Sequence, residues 1–279
     1  MLPTLKRLSF VFVIILSLAF FGYLVYTGMG AKTKASISTD VAGNGEIPSS
    51  KEGLVAQWNF NETNGTMVRS EGSCGKQCDG QLVNFAYTGS QDAALGTGWT
   101  AKNKLWSTGS LMFDGVNDYV STSLPISNAA NGFTVSAWIK TNNYNGGWSW
   151  PFASSKTAGT YPWFQCGKKA GDGNIRFETG DFTANTTLDT NGVNIADGNW
   201  HYLTCVWDKI NGYKYIYIDG NQKASIGAKI NNTSTDYGNL YIGAHGGPAE
   251  FWNGNIDAIS IYSRALPASE ILANFQAKN

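Results

Sequence analysis

The chain has 279 residues, with 20 Lys and Arg balanced by 20 Asp and Glu, and only 14% of its residues are charged. A formal net charge of zero with no basic face leaves nucleic acid and polyanion binding without electrostatic support. The 33 glycines and 13% aromatic residues combine turn formers with large side chains that suit a pleated surface, which favours an all-β fold.

Lys6 and Arg7 precede an uncharged run over residues 8–31. A signal-peptide apolar region spans about 7–15 residues and a membrane helix needs about 20, so the run fits the longer class. Tyr23 and Tyr26 near its far end suit an interfacial belt, and the positive flank places the amino terminus in the cytoplasm. The alternative is a cleaved signal peptide ending near Gly28-Met29-Gly30. Either reading exports the rest of the chain. Residues 32–52 are poor in apolar periodicity and read as a flexible tether. Residues 53–279 read as one domain.

Residues 54–60 give a first predicted strand. Residues 109–115 and 117–121 read as strand, turn, strand. Residues 133–140 alternate with period two, one face fully apolar, and residues 174–178 alternate as well. Residues 201–207 and 213–218 flank a hairpin loop. Residues 240–244 and 255–262 supply the last strands, and only residues 267–275 read as a helix, with Pro267 at an early position and apolar spacing at Ile271, Leu272 and Phe275. Many short strands with turn signals between them mean a sandwich or jelly roll.

Five segments carry a family resemblance. They are residues 54–62, residues 111–120 with Phe113-Asp114-Gly115, residues 133–140, the Asp197-Gly198-Asn199-Trp200-His201-Tyr202 to Tyr217-Ile218-Asp219-Gly220 stretch, and residues 256–271. In this order they resemble LamG-like jelly-roll domains of the concanavalin A-like lectin/glucanase superfamily. The resemblance runs over about residues 53–275 and implies a two-sheet antiparallel jelly-roll sandwich.

The four cysteines all follow the apolar run, and an even number in an exported chain favours disulfides. Cys74 and Cys78 enclose three residues and would staple a small loop. Cys166 and Cys205 lie in predicted strands and form the remaining pair, out of three pairings that four cysteines allow. The spacing is not that of a zinc ribbon or finger.

Three chemistries compete. The resemblance brings glucanases with it, but related retaining glycosidases carry paired acids on one strand face. Here Glu178 and Asp181 are the nearest approach and fall on opposite faces, so the chain is not expected to be an enzyme. His201 reads as structural. The resemblance also implies one structural Ca²⁺ at the sandwich edge, with Asp257 as the carboxylate and Asn59, Asn61 and Gly115 adding oxygens. Asn61 stands where many relatives have Asp, and the competing role of Asp257 is to accept main-chain hydrogen bonds. Carbohydrate binding is read from the residues themselves. Tyr144, Trp148 and Trp150 lie among Asn and Gly in residues 142–150, Trp163 follows, and Trp252 sits in a glycine-bounded loop. Exposed aromatics in loops point to use, although Trp148 and Trp150 capping one end of the core explains them equally. The chain therefore reads as a membrane-tethered extracellular module whose partner is a glycan or, alternatively, a surface protein.

Overall fold

A computed structural model describes residues 50–279 except 93–95, 102–108, 128–130, 158–159, 181–184, 228–235, 247 and 278–279, so the apolar run and most of the tether lie outside the described residues. Among the described residues no helix is long and apolar enough to cross a membrane.

Among them sixteen strands run in chain order: β1 (Leu54–Trp58), β2 (Met67–Val68), β3 (Gly80–Val83), β4 (Gly98–Thr100), β5 (Ser110–Asp114), β6 (Tyr119–Ser127), β7 (Gly132–Lys140), β8 (Ser149–Thr157), β9 (Thr160–Lys168), β10 (Ile175–Gly180), β11 (Asn185–Asp189), β12 (Trp200–Asp208), β13 (Tyr213–Ile218), β14 (Asn221–Gly227), β15 (Asp236–Ile242) and β16 (Asn253–Tyr262). A helix, α1 (Ala268–Ala277), closes the chain. The strands form two eight-stranded sheets. One runs β14-β13-β12-β7-β16-β5-β4 with β1 added on β16, and the other runs β11-β10-β9-β8-β15-β6-β3-β2. Every ladder between named strands is antiparallel. Jumps in strand order, such as β7 beside β16 and β8 beside β15, are the crossovers of a jelly roll.

Period-two patterning builds the core. Phe133, Val135, Ala137 and Ile139 of β7 and Leu203, Cys205 and Trp207 of β12 share one buried cluster with Phe164 and Cys166 of β9, Ile175 and Phe177 of β10 and Leu240 and Ile242 of β15. Alternate side chains of a strand point to opposite faces, so these are the inward faces of the two sheets. Phe133, Phe164 and Phe177 meet edge to face, with centroids 4.9 Å apart for Phe133–Phe164 and 5.8 Å for Phe164–Phe177. The Cys166–Cys205 disulfide crosses between the sheets, and Cys74–Cys78 closes a small loop; both pairings match the sequence expectation.

Trp138 is fully buried, but not between the sheets. It clusters with Tyr202 and Ala258 on the opposite face of its sheet, and Phe275 of α1 covers it with ring centroids 5.6 Å apart. This explains why both faces of β7 are buried. Arg264 anchors that region, pairing both guanidinium ends with Glu270, at 2.6 Å for Nη2.

Candidate functional site

The outward face of the β11–β2 sheet carries polar side chains where its inward face carries Phe and Ile. Glu178 of β10 stands directly across from Gln165 of β9, and Gln165 from Ala153 of β8. The Gln165 side-chain amide donates to a Glu178 carboxylate oxygen at 3.1 Å. Trp150 opens β8 beside this pair. The β8 ladder slips between Ser149 and Phe152, which gives Pro151 the irregular position that a residue without an N–H needs within a sheet.

These residues floor and wall an open cleft of about 430 Å³ lined by Trp148, Trp150, Gln165, Arg176, Glu178, His245, Ala249 and Glu250. Trp148 and Trp150 stack with centroids 5.5 Å apart and planes within 4°. The Arg176 guanidinium lies 4.8 Å from the Trp148 ring centre, a cation–π contact. It is held there by Asp189, which accepts from Nε at 2.7 Å and Nη2 at 2.8 Å. That carboxylate raises the Arg176 pKa further, with burial opposing it.

The far wall is His245, Ala249 and Glu250. The Trp150 indole N–H donates to the Glu250 carboxylate, and the Ser149 hydroxyl donates to the Phe251 carbonyl at 3.1 Å. Glu250 has φ +50°, a left-handed conformation that costs a non-glycine residue free energy. At the base, Gly243 has φ +81° and a Cβ there would meet the Phe113 ring at 2.3 Å. Only glycine lets this turn give its N–H to Pro151 and its carbonyl to Trp252, at 2.9 and 2.8 Å. His245 is buried, and burial holds its imidazole below the ordinary value, with the Glu250 and Glu178 carboxylates opposing.

Of the aromatics singled out in the sequence, Trp148 and Trp150 meet in the cleft. Trp148 is half-buried, while Trp150 is only 2% exposed and presents little beyond the edge facing the cleft. Tyr144 is exposed in the same loop but is not among the cleft residues. Trp163 lies in β9, paired with Gly180 and Ser155; its side chain is outside the described residues. Trp252 requires correction. It is fully buried, packs in the main core and gives its indole N–H to the Asn255 carbonyl, so it offers no ring face to a ligand. Arg176, Glu178, Gln165, His245 and Glu250 were not read as site residues.

Of the calcium set, Gly115 lies apart from Asp257, whereas Asn59 follows Trp58, which pairs with Ile259 two residues beyond Asp257 on β16. Asn59 and Asn61 line a separate cleft with Glu62, Arg69 and Glu71. Gly115 abuts Asn253, while Asp257 is fully buried across from Trp138. Asp257 lies four extended steps beyond Asn253 along β16, or about 13 Å. Calcium–oxygen distances of about 2.3–2.6 Å do not bridge that gap. Among the described residues no group of three or more His, Cys, Asp or Glu could hold a metal.

His201 lies elsewhere, at the start of β12. Its ring nitrogens face Asp219 at 2.8 Å and Asp197 at 3.1 Å, and Asp219 also accepts the Tyr202 N–H at 2.8 Å. This pins the β13–β14 turn to β12, a structural role.

Residues 114–272 match the profile of the Concanavalin A-like lectin/glucanases superfamily. No curated protein matches the sequence. Among solved structures, the chain is similar to domain 4 of a GH43 extracellular arabinanase from Geobacillus stearothermophilus, in complex with arabinotriose. The TM-score is 0.58 at 20% identity, covering 81% of this chain and 98% of that one. It is similar to the binding domain of Paraclostridial Mosquitocidal Protein 1, with TM-score 0.58, 15% identity and coverage of 81% and 52%. It is also similar to the binding domain of Botulinum Neurotoxin DC in complex with SialylT, with TM-score 0.58, 12% identity and coverage of 82% and 52%. The chain thus spans about half the length of these toxin domains, and at such identities the likeness speaks to fold alone.

Proposed function

Because this chain belongs to the Concanavalin A-like lectin/glucanases superfamily, we propose that it is a recognition module that binds a glycan in the Trp148–Glu250 cleft. The stacked Trp148–Trp150 pair beside the Gln165–Glu178 floor carries this reading. Aromatic surface takes the C–H face of a sugar ring, and fixed carboxylate and amide groups take its hydroxyls. The arabinotriose and SialylT complexes of the two structural neighbours support a glycan as the partner.

The role proposed is binding. Glu178 accepts from the Gln165 amide and Glu250 from the Trp150 indole, which fixes both carboxylates as acceptors for sugar hydroxyls. Export and tethering through residues 8–31 complete the proposal, and the two disulfides support an oxidising compartment. The test is a glycan array with the full chain in detergent, beside Trp148→Ala. Selective binding lost in the variant supports the reading. Binding that Trp148→Ala leaves intact moves the site elsewhere, and release of free sugar from a bound polysaccharide replaces recognition with catalysis.

Protein adhesion is the second reading. Ile210, Tyr213 and Ile226 are exposed around the β12–β14 hairpins, and Tyr213 stacks on Tyr215 with centroids 5.9 Å apart. A silent array together with specific capture of a surface protein, lost on Tyr213→Ser, would favour it.

A further inference from the structure

Two carboxylates, Glu178 and Glu250, line the cleft beside one guanidinium, Arg176. Glu178 is 6% exposed on its floor and Glu250 is exposed on its rim. Its lining cation, Arg176, commits Nε and Nη2 to Asp189. Lys169 also turns to Asp189, at 3.0 Å. Lys214, the other cation coupled to Glu178, is fully buried between the sheets, 5.0 Å from the Phe177 ring centre. His245 is 7% exposed, and its burial favours the neutral imidazole.

We infer that this cleft selects an uncharged sugar unit against an anionic one, with Glu178 and Glu250 as the specificity-determining residues. The inference rests on the glycan reading of the same cleft. A carboxylate is acceptor-only, so its matching partner is a donor. A sugar hydroxyl supplies that donor and makes a charge-assisted bond. A uronate or sialate brings a second acceptor-only charge. It would shed its hydration to enter, meet two like charges, and find the Arg176 fork already taken by Asp189. Like-charge juxtaposition of this kind rejects wrong partners more than it strengthens right ones.

The experiment uses matched probes. Glucose- and galactose-terminated oligosaccharides are arrayed beside the same oligosaccharides oxidised at C6 to the uronate, and binding of the full chain, Glu250→Gln and Trp148→Ala is read by titration. The neutral member of a bound pair should bind about tenfold or more tightly, and Glu250→Gln should narrow that ratio. Raising the salt should narrow it too, since screening weakens the repulsion. Uronates binding as tightly as their neutral partners, with binding lost in Trp148→Ala, would overturn the selectivity and leave the glycan site standing. Silence towards every oligosaccharide overturns both. Glu250 is exposed, so its amide variant keeps the test available should Glu178→Gln fail to fold.

Discussion

The Lys168 ammonium donates to the Gly146 carbonyl at 3.3 Å, two residues before Trp148. The same nitrogen also reaches the carbonyls of Tyr144 at 3.4 Å, Lys169 at 2.7 Å and Asp172 at 3.3 Å. Four main-chain oxygens from two loops thus converge on one fully buried lysine. One loop carries Trp148, the other leads into Arg176, and the Gly171 N–H bonds Gly146 directly at 3.0 Å. The aromatic wall is set by this internal cation. Lys168→Met keeps the aliphatic stem and strands the carbonyls, so it should cost about 2–3 kcal/mol and shift tryptophan emission. Urea unfolding followed by fluorescence reads both; wild-type stability with unchanged emission would show that the loops stand without the ammonium.

Trp148 and Trp252 should separate binding from packing. Trp252→Ala empties a filled core position and should cost about 3–5 kcal/mol. Trp148→Ala should change stability little while abolishing glycan binding. Thermal melting beside array binding distinguishes them. Equal destabilisation of both would make Trp148 a core cap.

Much of this was legible in the sequence. Period-two alternation at residues 133–140 and 174–178 marked β7 and β10, and the same alternation already set Arg176 and Glu178 on one polar face. Burial was harder to read. Trp252 sits between glycine-rich segments like a loop aromatic, yet its place in the core depends on a ladder formed with β5. Trp150 read as loop because it lies among Asn and Gly in residues 142–150, yet it opens β8, where a bulge accommodates Pro151. The gap between Gly115 and Asp257 depends on the register of β16, which no local pattern encodes.

With Gly115 apart from Asp257, we predict that calcium leaves stability unchanged. Melting in millimolar calcium and again with excess chelator is expected to give one midpoint, since a bound ion would raise it by mass action. A calcium-dependent rise that Asn61→Ala removes would locate an ion in the Asn59–Glu71 cleft instead.

His201 should stabilise the fold more in acid than in base. Burial opposes its charge, but the hydrogen bonds and fields of Asp219 and Asp197 outweigh burial and raise its pKa above the ordinary value. A folded pKa above the unfolded one gives stabilisation that is complete below about pH 6.5 and fades as pH rises through the folded pKa. The stability difference between wild type and His201→Gln, measured by urea unfolding, should be larger at pH 5.5 than at pH 8.5. A gap that widens with pH would remove the ion pair as its cause.

Lys214 should work in the other direction. Burial pushes its ammonium down to about 7, with the Glu178 carboxylate opposing. Between that value and about 10.4, the unfolded chain binds the proton that the folded chain has released, so stability rises with pH across that window. The deficit is full below about pH 7 and gone once the unfolded lysine also loses its proton. Lys214→Met cannot titrate there, so its stability should climb less steeply than wild type from pH 7 to 9.5. Its uncharged thioether suits the dry position over Phe177. Parallel curves for the two proteins would mean that Lys214 keeps its charge in the sandwich, stabilised by partners that offset the cost of burial.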